Sequence, residues 1–166
     1  MKTKLFSALL LGVLCVLMTA CPYTSTVPID SQSVKIKQEL IGKWVKSADL
    51  SNEKPSFYDI QKLNDTKYKI VNNEYNTYDS TYTITNYFGH LSLIDQTIFL
   101  NMQKDGTGDY YLYKIAIGSN EFTLFEVTDN IDEKFNTSAE LKAFIKKNMA
   151  LSFFYNKEEV TYIKEN

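Results

Sequence analysis

Residues 97–127 have the sequence TIFLNMQKDGTGDYYLYKIAIGSNEFTLFEV, in which apolar and polar residues alternate within three runs. Such alternation is typical of strands with one buried face, and it predicts strands at 97–102, 109–117 and 121–127. Two glycines in 104–109 and the triplet Gly118-Ser119-Asn120 are suited to tight turns between them. Because these connections are short, consecutive strands are expected to be antiparallel neighbours.

The same pattern continues toward the N-terminus, where runs rich in Tyr, Ile, Thr and Phe predict five more strands, at 43–47, 56–62, 67–72, 78–86 and 90–94. Helical periodicity occurs once: Thr137 and Glu140 form a capping box, and Leu141 and Ile145 share one face. A final strand is predicted at 160–163. We therefore predict a mainly β fold, an antiparallel eight-stranded meander barrel followed by one C-terminal helix and a closing strand.

The N-terminal segment has the pattern of an export signal. Lys2 and Lys4 precede an apolar run from Ala8 to Met18, which is too short for a membrane span. Met18-Thr19-Ala20-Cys21 resembles the lipobox of bacterial lipoproteins, with Met where the family favours Leu. The resemblance implies that the signal is cut before Cys21, that the Cys21 thiol is lipidated and that the new amino terminus is acylated.

Several acyl chains together hold a protein firmly on a membrane without spanning it, so the membrane is the expected partner through the anchor at Cys21. The resemblance implies a cell-envelope location, with the periplasmic side of the outer membrane as the default. The predicted organisation is a lipoprotein signal peptide at 1–20, a lipidated N-terminus and spacer at 21–38, and one barrel domain at 39–166. Apolar residues in the spacer indicate that part of it packs on the domain.

The predicted order of strands and helix is similar to that of the lipocalin superfamily, and Leu40-Ile41-Gly42-Lys43-Trp44 resembles its opening Gly-x-Trp motif. The resemblance implies a lipocalin-like barrel in which the glycine lets the chain bend into the first strand and Trp44 plugs the closed end. In that family an arginine usually covers the tryptophan. This chain has no arginine, so Trp44 is expected to stack on a lysine or simply to pack.

A closed eight-stranded barrel either is filled by side chains or holds a small ligand. Aromatic residues at alternating positions are the candidate lining of a ligand pocket: Trp44, Tyr58, Tyr68, Tyr82, Tyr111 and Tyr113. Apolar walls with polar hydroxyls suit an apolar or amphipathic ligand. Tyrosines on strands are equally expected for packing reasons or at a protein-binding surface, so the pattern leaves these alternatives open.

Composition argues against several other functions. The formal net charge is −2 without basic blocks, which does not favour nucleic acid. With Cys15 in the signal and Cys21 lipidated, no disulfide is expected. His90 is the single histidine, predicted to be exposed, so no multi-histidine zinc site is expected, and the turn at 105–109 fits a hairpin better than a calcium loop. We expect no metal, no cofactor and no enzyme activity.

Two functions are therefore predicted. The first is a non-catalytic, membrane-anchored lipoprotein whose barrel binds a small apolar or amphipathic ligand. The second is a protein-interaction module, such as an inhibitor or immunity-type lipoprotein, that uses the aromatic sheet face or loops. An open cavity would favour the first, whereas a filled barrel with an exposed aromatic patch would favour the second. A hydrolase centred on His90 is the third alternative.

Overall fold

The computed structural model describes residues 23–128, 131–156 and 158–165. In chain order these contain strands β1 to β9, at Thr24–Ser25, Gly42–Lys46, Phe57–Lys62, Tyr68–Asn76, Thr81–Ile94, Thr97–Lys104, Tyr110–Ile117, Glu121–Glu126 and Val160–Lys164. Helix α1, Ser138–Asn148, lies between β8 and β9. Single 3-10 turns occur at Gln38–Leu40, Ser47–Asp49 and Ser152–Phe154. The predicted lipidation site Cys21 and the predicted signal peptide lie outside these residues.

Strands β2 to β9 form a closed antiparallel barrel. From β2 to β8 each strand pairs with the next one in the sequence. Strand β9 then lies between β8 and β2, with Val160 opposite Leu124 on one side and Lys164 opposite Trp44 on the other. The predicted fold class is confirmed: an eight-stranded antiparallel barrel with one helix that is followed by a closing strand.

The count of strands before the helix differs from the prediction. The predicted strands 78–86 and 90–94 are one strand, β5, which continues through Gly89. A Cβ at Gly89 would lie 2.7 Å from Cδ1 of Ile70, so the glycine allows close packing inside the barrel and does not mark a turn. Seven barrel strands therefore precede α1, and β9 is the eighth.

Trp44 lies fully buried inside the barrel, as the Gly-x-Trp resemblance implies. Its indole Nε1 donates a hydrogen bond to the carbonyl of Leu40 at 2.8 Å, and its ring packs edge-on against Phe122 with centroids 4.8 Å apart. The Lys164 amino group lies 5.2 Å from the Trp44 ring centre, within reach of a cation–π contact. Trp44 therefore packs in the core and also contacts a lysine, the two alternatives expected in the absence of arginine.

A second apolar cluster lies outside the barrel, where α1 packs on the outer face of β5, β6 and β7. Leu141 and Ile145 of α1 are buried there against strand residues such as Phe99 and Leu112. The predicted capping box is confirmed, since the Thr137 side chain accepts from the Glu140 backbone N–H and the Glu140 carboxylate accepts in return. Within the described residues, no helix has the length and apolar character needed to cross a bilayer.

The segment predicted to be a spacer is part of the folded domain from Tyr23 onward. We call residues 23–41 the N-terminal strap. It begins with β1 paired to β7, continues through the fully buried Ile29, and crosses the mouth of the barrel at the β3–β4 turn. There the Lys37 backbone N–H donates to the Tyr68 hydroxyl at 2.6 Å. Residues of the predicted spacer therefore pack on the barrel.

Candidate functional site

The interior of the barrel is filled. Residues from all eight strands contribute to its core, and the cavity that remains has a volume of about 10 Å³. Apolar side chains line that cavity, including Ile60, Leu100 and Phe122. A drug-sized ligand needs roughly 300–1,000 Å³. The barrel interior therefore holds no ligand of that size in this conformation.

Several tyrosine rings also lie in the barrel interior with Trp44. The rings of Tyr58 and Tyr162 lie 4.8 Å apart, and the hydroxyl of Tyr113 donates to Glu126 Oε1 at 3.5 Å. Burial raises the pKa of Tyr58 and of Tyr113 well above the ordinary 10.0, and it raises the pKa of Tyr162 to about 12. These hydroxyls therefore stay protonated at physiological pH, and their hydrogen bonds are made to other groups of the same chain.

The structure separates the six predicted lining residues into two groups. Five of them lie in the barrel core or pack against it: Trp44, Tyr58, Tyr68, Tyr111 and Tyr113. Tyr82 lies on the outside and is 38 % exposed, so its assignment to the lining is wrong. Alternation showed that Tyr82 and Ile84 share a face of the strand but could not show which face, and the outer one is also apolar at this place.

Tyr82 belongs to an outer aromatic patch formed by Phe57, Tyr75, Tyr82 and Ile84 of β3, β4 and β5. The ring of Tyr82 lies 5.8 Å from that of Phe57 and 5.2 Å from that of Tyr75, and its hydroxyl donates to the Pro55 carbonyl at 3.2 Å. Ile84 is 61 % exposed. These contacts hold the patch as an ordered apolar surface that faces solvent.

Two lysines border this outer aromatic patch. The Lys43 amino group lies 4.3 Å from the centre of the Phe57 ring, and that of Lys54 lies 5.4 Å from the centre of the Tyr75 ring. Both distances are within cation–π range. The sequence pattern did not single out Phe57 or Tyr75, although the inward alternation of Tyr58 and Ile60 places Phe57 on the opposite face and could have indicated it.

Part of the patch lies on a hairpin that projects from the barrel. Strand β3 pairs with β4 only as far as Asn73, and β6 pairs with β5 only from Tyr87 onward. Residues 74–86, which we call the projecting hairpin, therefore extend beyond both neighbouring strands. Its turn carries Tyr78, which is 99 % exposed. The hairpin therefore presents the rings of Tyr78 and Tyr82 to solvent.

A buried polar cluster joins the N-terminal strap to the barrel wall and to α1. The Ser92 hydroxyl donates to Oδ1 of Asp30, and the Lys142 amino group donates to Oδ2 of the same carboxylate at 2.8 Å. The Asn101 side-chain amide donates to Ser92 Oγ at 2.9 Å and accepts from the Ile29 backbone N–H at 2.8 Å. Three of these four contacts tie the strap to another element, and the fourth joins β6 to β5, so the cluster fixes the strap in place.

His90 borders this cluster and is 3 % exposed, so the prediction of an exposed histidine is wrong. Its Nε2 lies 3.3 Å from the Asp30 carbonyl oxygen, which can only accept, so Nε2 carries a proton. Burial lowers the pKa of His90. A catalytic triad needs the histidine to face a reachable hydroxyl. The nearby Ser92 is fully buried and bonds to Asp30, so the geometry does not support a hydrolase here.

Carboxylates, cysteines and histidines of the described residues form no group of three or more that could hold a metal ion. The turn at 105–109 is the hairpin between β6 and β7, as predicted, with Gly106 at a φ of +79°. The Thr107 backbone N–H donates to the Lys104 carbonyl at 3.1 Å, which closes the turn.

A surface cleft of about 700 Å³ lies between the start of the strap and the loop before α1. Its walls come from residues 23–26, Asp109 and residues 131–136. The Tyr23 hydroxyl donates to the Glu133 carbonyl at 3.4 Å across it. This volume is within the range of small-molecule sites. The carboxylates of Asp109, Asp132 and Glu133 outnumber the one amino group, that of Lys134, so the lining is acidic.

No protein-family model matches this chain, and no curated protein or solved structure matches it either. The resemblances to the lipobox and to the lipocalin opening motif are therefore carried by the residues quoted above. The closed barrel is established from the pairing of its strands.

Proposed function

We propose that this protein is a membrane-anchored lipoprotein of the cell envelope whose barrel serves as a non-catalytic protein-interaction module. The observation that carries the proposal is the contrast between a filled barrel interior and an ordered, exposed outer aromatic patch. A barrel that binds a ligand inside needs space there. A surface that binds a protein needs rigid aromatic side chains that are accessible from outside.

The chemistry of the patch indicates the kind of partner. Tyrosine and phenylalanine are enriched at protein interfaces because they bury a large area with few rotatable bonds. Lys54 adds positive charge at the rim, whereas the charge of Lys43 is paired with Glu165 at 2.8 Å. The partner is therefore a protein with an apolar contact surface and an acidic residue opposite Lys54, which fits the inhibitor or immunity-type interpretation.

Photo-crosslinking tests this interaction. A photoreactive amino acid at Ile84 in the full chain, expressed in its own host, is expected to give discrete adducts with a protein other than a second copy of this chain, and a second substitution, Tyr75→Ala, is expected to weaken them. The matched control is the same probe at Ser119, an exposed turn residue outside the patch. Equal adducts at both positions would contradict the proposal.

Anchorage at Cys21 forms the second part of the proposal, and the export signal and lipobox resemblance support it. Cys21→Ala is expected to abolish lipid labelling and to release the protein from membranes, because the thiol that receives the lipid is lost. Cys15→Ala is the control, since Cys15 lies within the predicted signal. Membrane fractionation of the Cys21→Ala protein after its signal has been cut would show that anchorage comes from elsewhere.

A second candidate function is binding of a small ligand, and the acidic cleft of about 700 Å³ favours it. The site would be the cleft and not the filled barrel, so its carboxylates would select a polar or cationic group next to an apolar one. A native mass spectrum of the protein purified from its host membranes checks this. A small molecule that is released on denaturation supports a ligand carrier, and a bare chain contradicts it.

A further inference from the structure

The projecting hairpin leaves one edge of β5 without a neighbouring strand. The backbone N–H of Asp105 donates to the carbonyl of Asn86 at 2.9 Å, where β6 pairing ends. Beyond that point, in the part of the chain that the structure describes, residues 81–85 pair with β4 alone. Backbone groups alternate in direction along a strand, so the N–H and C=O groups of Tyr82 and Ile84 point outward at this edge.

This edge lacks the features that protect exposed strand edges. Native proteins usually place charged residues, proline or a bulge there. Residues 81–85 have the sequence Thr-Tyr-Thr-Ile-Thr, which is uncharged and consists entirely of residues that favour strands. The other edge of the same hairpin is protected, because Tyr75 donates its backbone N–H to the Ser56 hydroxyl at 3.1 Å and Glu74 is charged.

We propose that a second copy of this chain binds here, so that two β5 edges pair antiparallel about a two-fold axis at Thr83. The outward-pointing groups determine the register. Tyr82 faces the partner's Ile84, and Ile84 faces the partner's Tyr82. Each of these two pairs exchanges two hydrogen bonds, so all four exposed backbone groups of each copy are used.

The side chains are complementary in the same register. Aromatic residues opposite β-branched ones are favourable cross-strand pairs, and Tyr82 opposite the partner's Ile84 is such a pair. Thr81 lies opposite the partner's Thr85, and Thr83 lies opposite its own copy. No charged residue within 81–85 opposes the pairing. A two-fold interface of this kind is closed, so it gives a dimer and not a fibre.

The dimer joins the outer aromatic patches of both copies, because Tyr82 and Ile84 belong to the patch as well as to the edge. The inference depends on the backbone of β5 and not on the proposed function. The dimer and the proposed function can fail separately. Tyr75→Ala removes a ring of the patch that lies on β4 and not on the β5 edge, so it is expected to leave the dimer intact.

Disulfide cross-linking tests the dimer and its register. Thr83 of each copy would lie at a close, non-hydrogen-bonded position, where two cysteines can form a disulfide. The full chain with Thr83→Cys is expected to give a disulfide-linked dimer in cells treated with a mild oxidant, with Ser119→Cys as the control. Cross-linking of Thr83→Cys no stronger than the control would overturn the proposal, and stronger cross-linking of Tyr82→Cys than of Thr83→Cys would overturn the register.

A charge exchange gives a second, independent measurement. Thr83→Lys and Thr83→Glu each place like charges opposite one another, and each is expected to weaken self-association roughly two- to fivefold in sedimentation experiments. A mixture of the two variants is expected to associate better than either alone, since Lys then faces Glu. If the mixture associates no better than the separate variants, Thr83 is not at a two-fold axis and the proposal is wrong.

Discussion

The two halves of β5 belong to one continuous strand but lie in opposite environments. From Tyr87 to Ile94 the strand is part of the barrel wall, with β6 beside it and α1 over its outer face, and residues such as Leu91, Ser92 and Ile94 are fully buried. From Thr81 to Ile84 every residue is exposed. Both halves are strand. The comparison shows that the reach of the neighbouring elements determines what a strand buries.

The largest loss of stability is expected from a substitution in the barrel interior. Trp44→Ala removes a fully buried ring and the hydrogen bond to the Leu40 carbonyl, so it is expected to lower the free energy of unfolding by about 3–5 kcal/mol. Urea unfolding followed by circular dichroism measures this. A loss below about 1 kcal/mol would mean that Trp44 does not contribute to the core as its burial indicates.

Gly89 sharpens the comparison because it lies where β5 enters the barrel. Gly89→Ala places a methyl group against Cδ1 of Ile70, so a loss of about 1–3 kcal/mol is expected in the same urea experiment. Gly108→Ala is the matched control, since its Cβ would meet no atom within 4 Å.

Adding Ile70→Val to Gly89→Ala removes that Cδ1 atom and should recover part of the loss. If the double variant is destabilised by the full sum of the single effects, contact between the two side chains is not the cause.

His90 gives a pH-dependent test of the buried half. Burial and Lys67 lower its pKa below the unfolded value near 6.5, whereas the carbonyl and charge of Asp30 act in the opposite direction, and Tyr110 packs edge-on against its ring. Below that pH the unfolded chain binds a proton more readily than the folded one. Stability should therefore fall as pH decreases from 7.5 to 5.5, by no more than roughly 1.4 kcal/mol per pH unit.

A His90→Gln variant isolates this contribution, because no other histidine is present. The pH dependence of its unfolding free energy over the same range should be flatter than that of the natural chain. An unchanged slope would assign the pH dependence to other groups.

The smallest effects are expected on the projecting hairpin. Tyr78→Ala removes a side chain that is almost fully exposed, so the unfolding free energy should change by less than about 0.5 kcal/mol. Tyr82→Ala should cost somewhat more, since its ring packs on two others, but less than about 1.5 kcal/mol. A loss comparable to that of Trp44→Ala would mean that the patch is structural and not a binding surface.

Local signals predicted much of this fold. The alternation within 97–127 gave three strands and their order, and the capping box gave the start of α1. The division of β5 was wrong because Gly89 looks like a turn residue in the sequence, and only its contact with Ile70 explains it. The predicted face of Tyr82 was wrong because period-two alternation is the same whether the apolar side chains face the barrel interior or the outside.

The buried polar cluster could not be predicted, because its members are far apart in the sequence. Asp30 binds Ser92 and Lys142, which are 62 and 112 positions away. Short polar segments such as 30–33 look like a spacer unless their partners are known. A candidate site composed of such contacts, like the acidic cleft between residues 23–26 and 131–136, depends on tertiary structure alone.

The position of β9 has a consequence for the order of folding. Hairpins from β2 to β8 can form as soon as each turn is made, because their partners are adjacent in the sequence. The barrel cannot close at that stage, because closure requires β2 to pair with β9, which brings Trp44 near the start of the domain opposite Lys164 near its end. Until β9 pairs, strands β2 to β8 therefore form an open sheet with two unpaired edges. Closing so large a loop makes this late step slow.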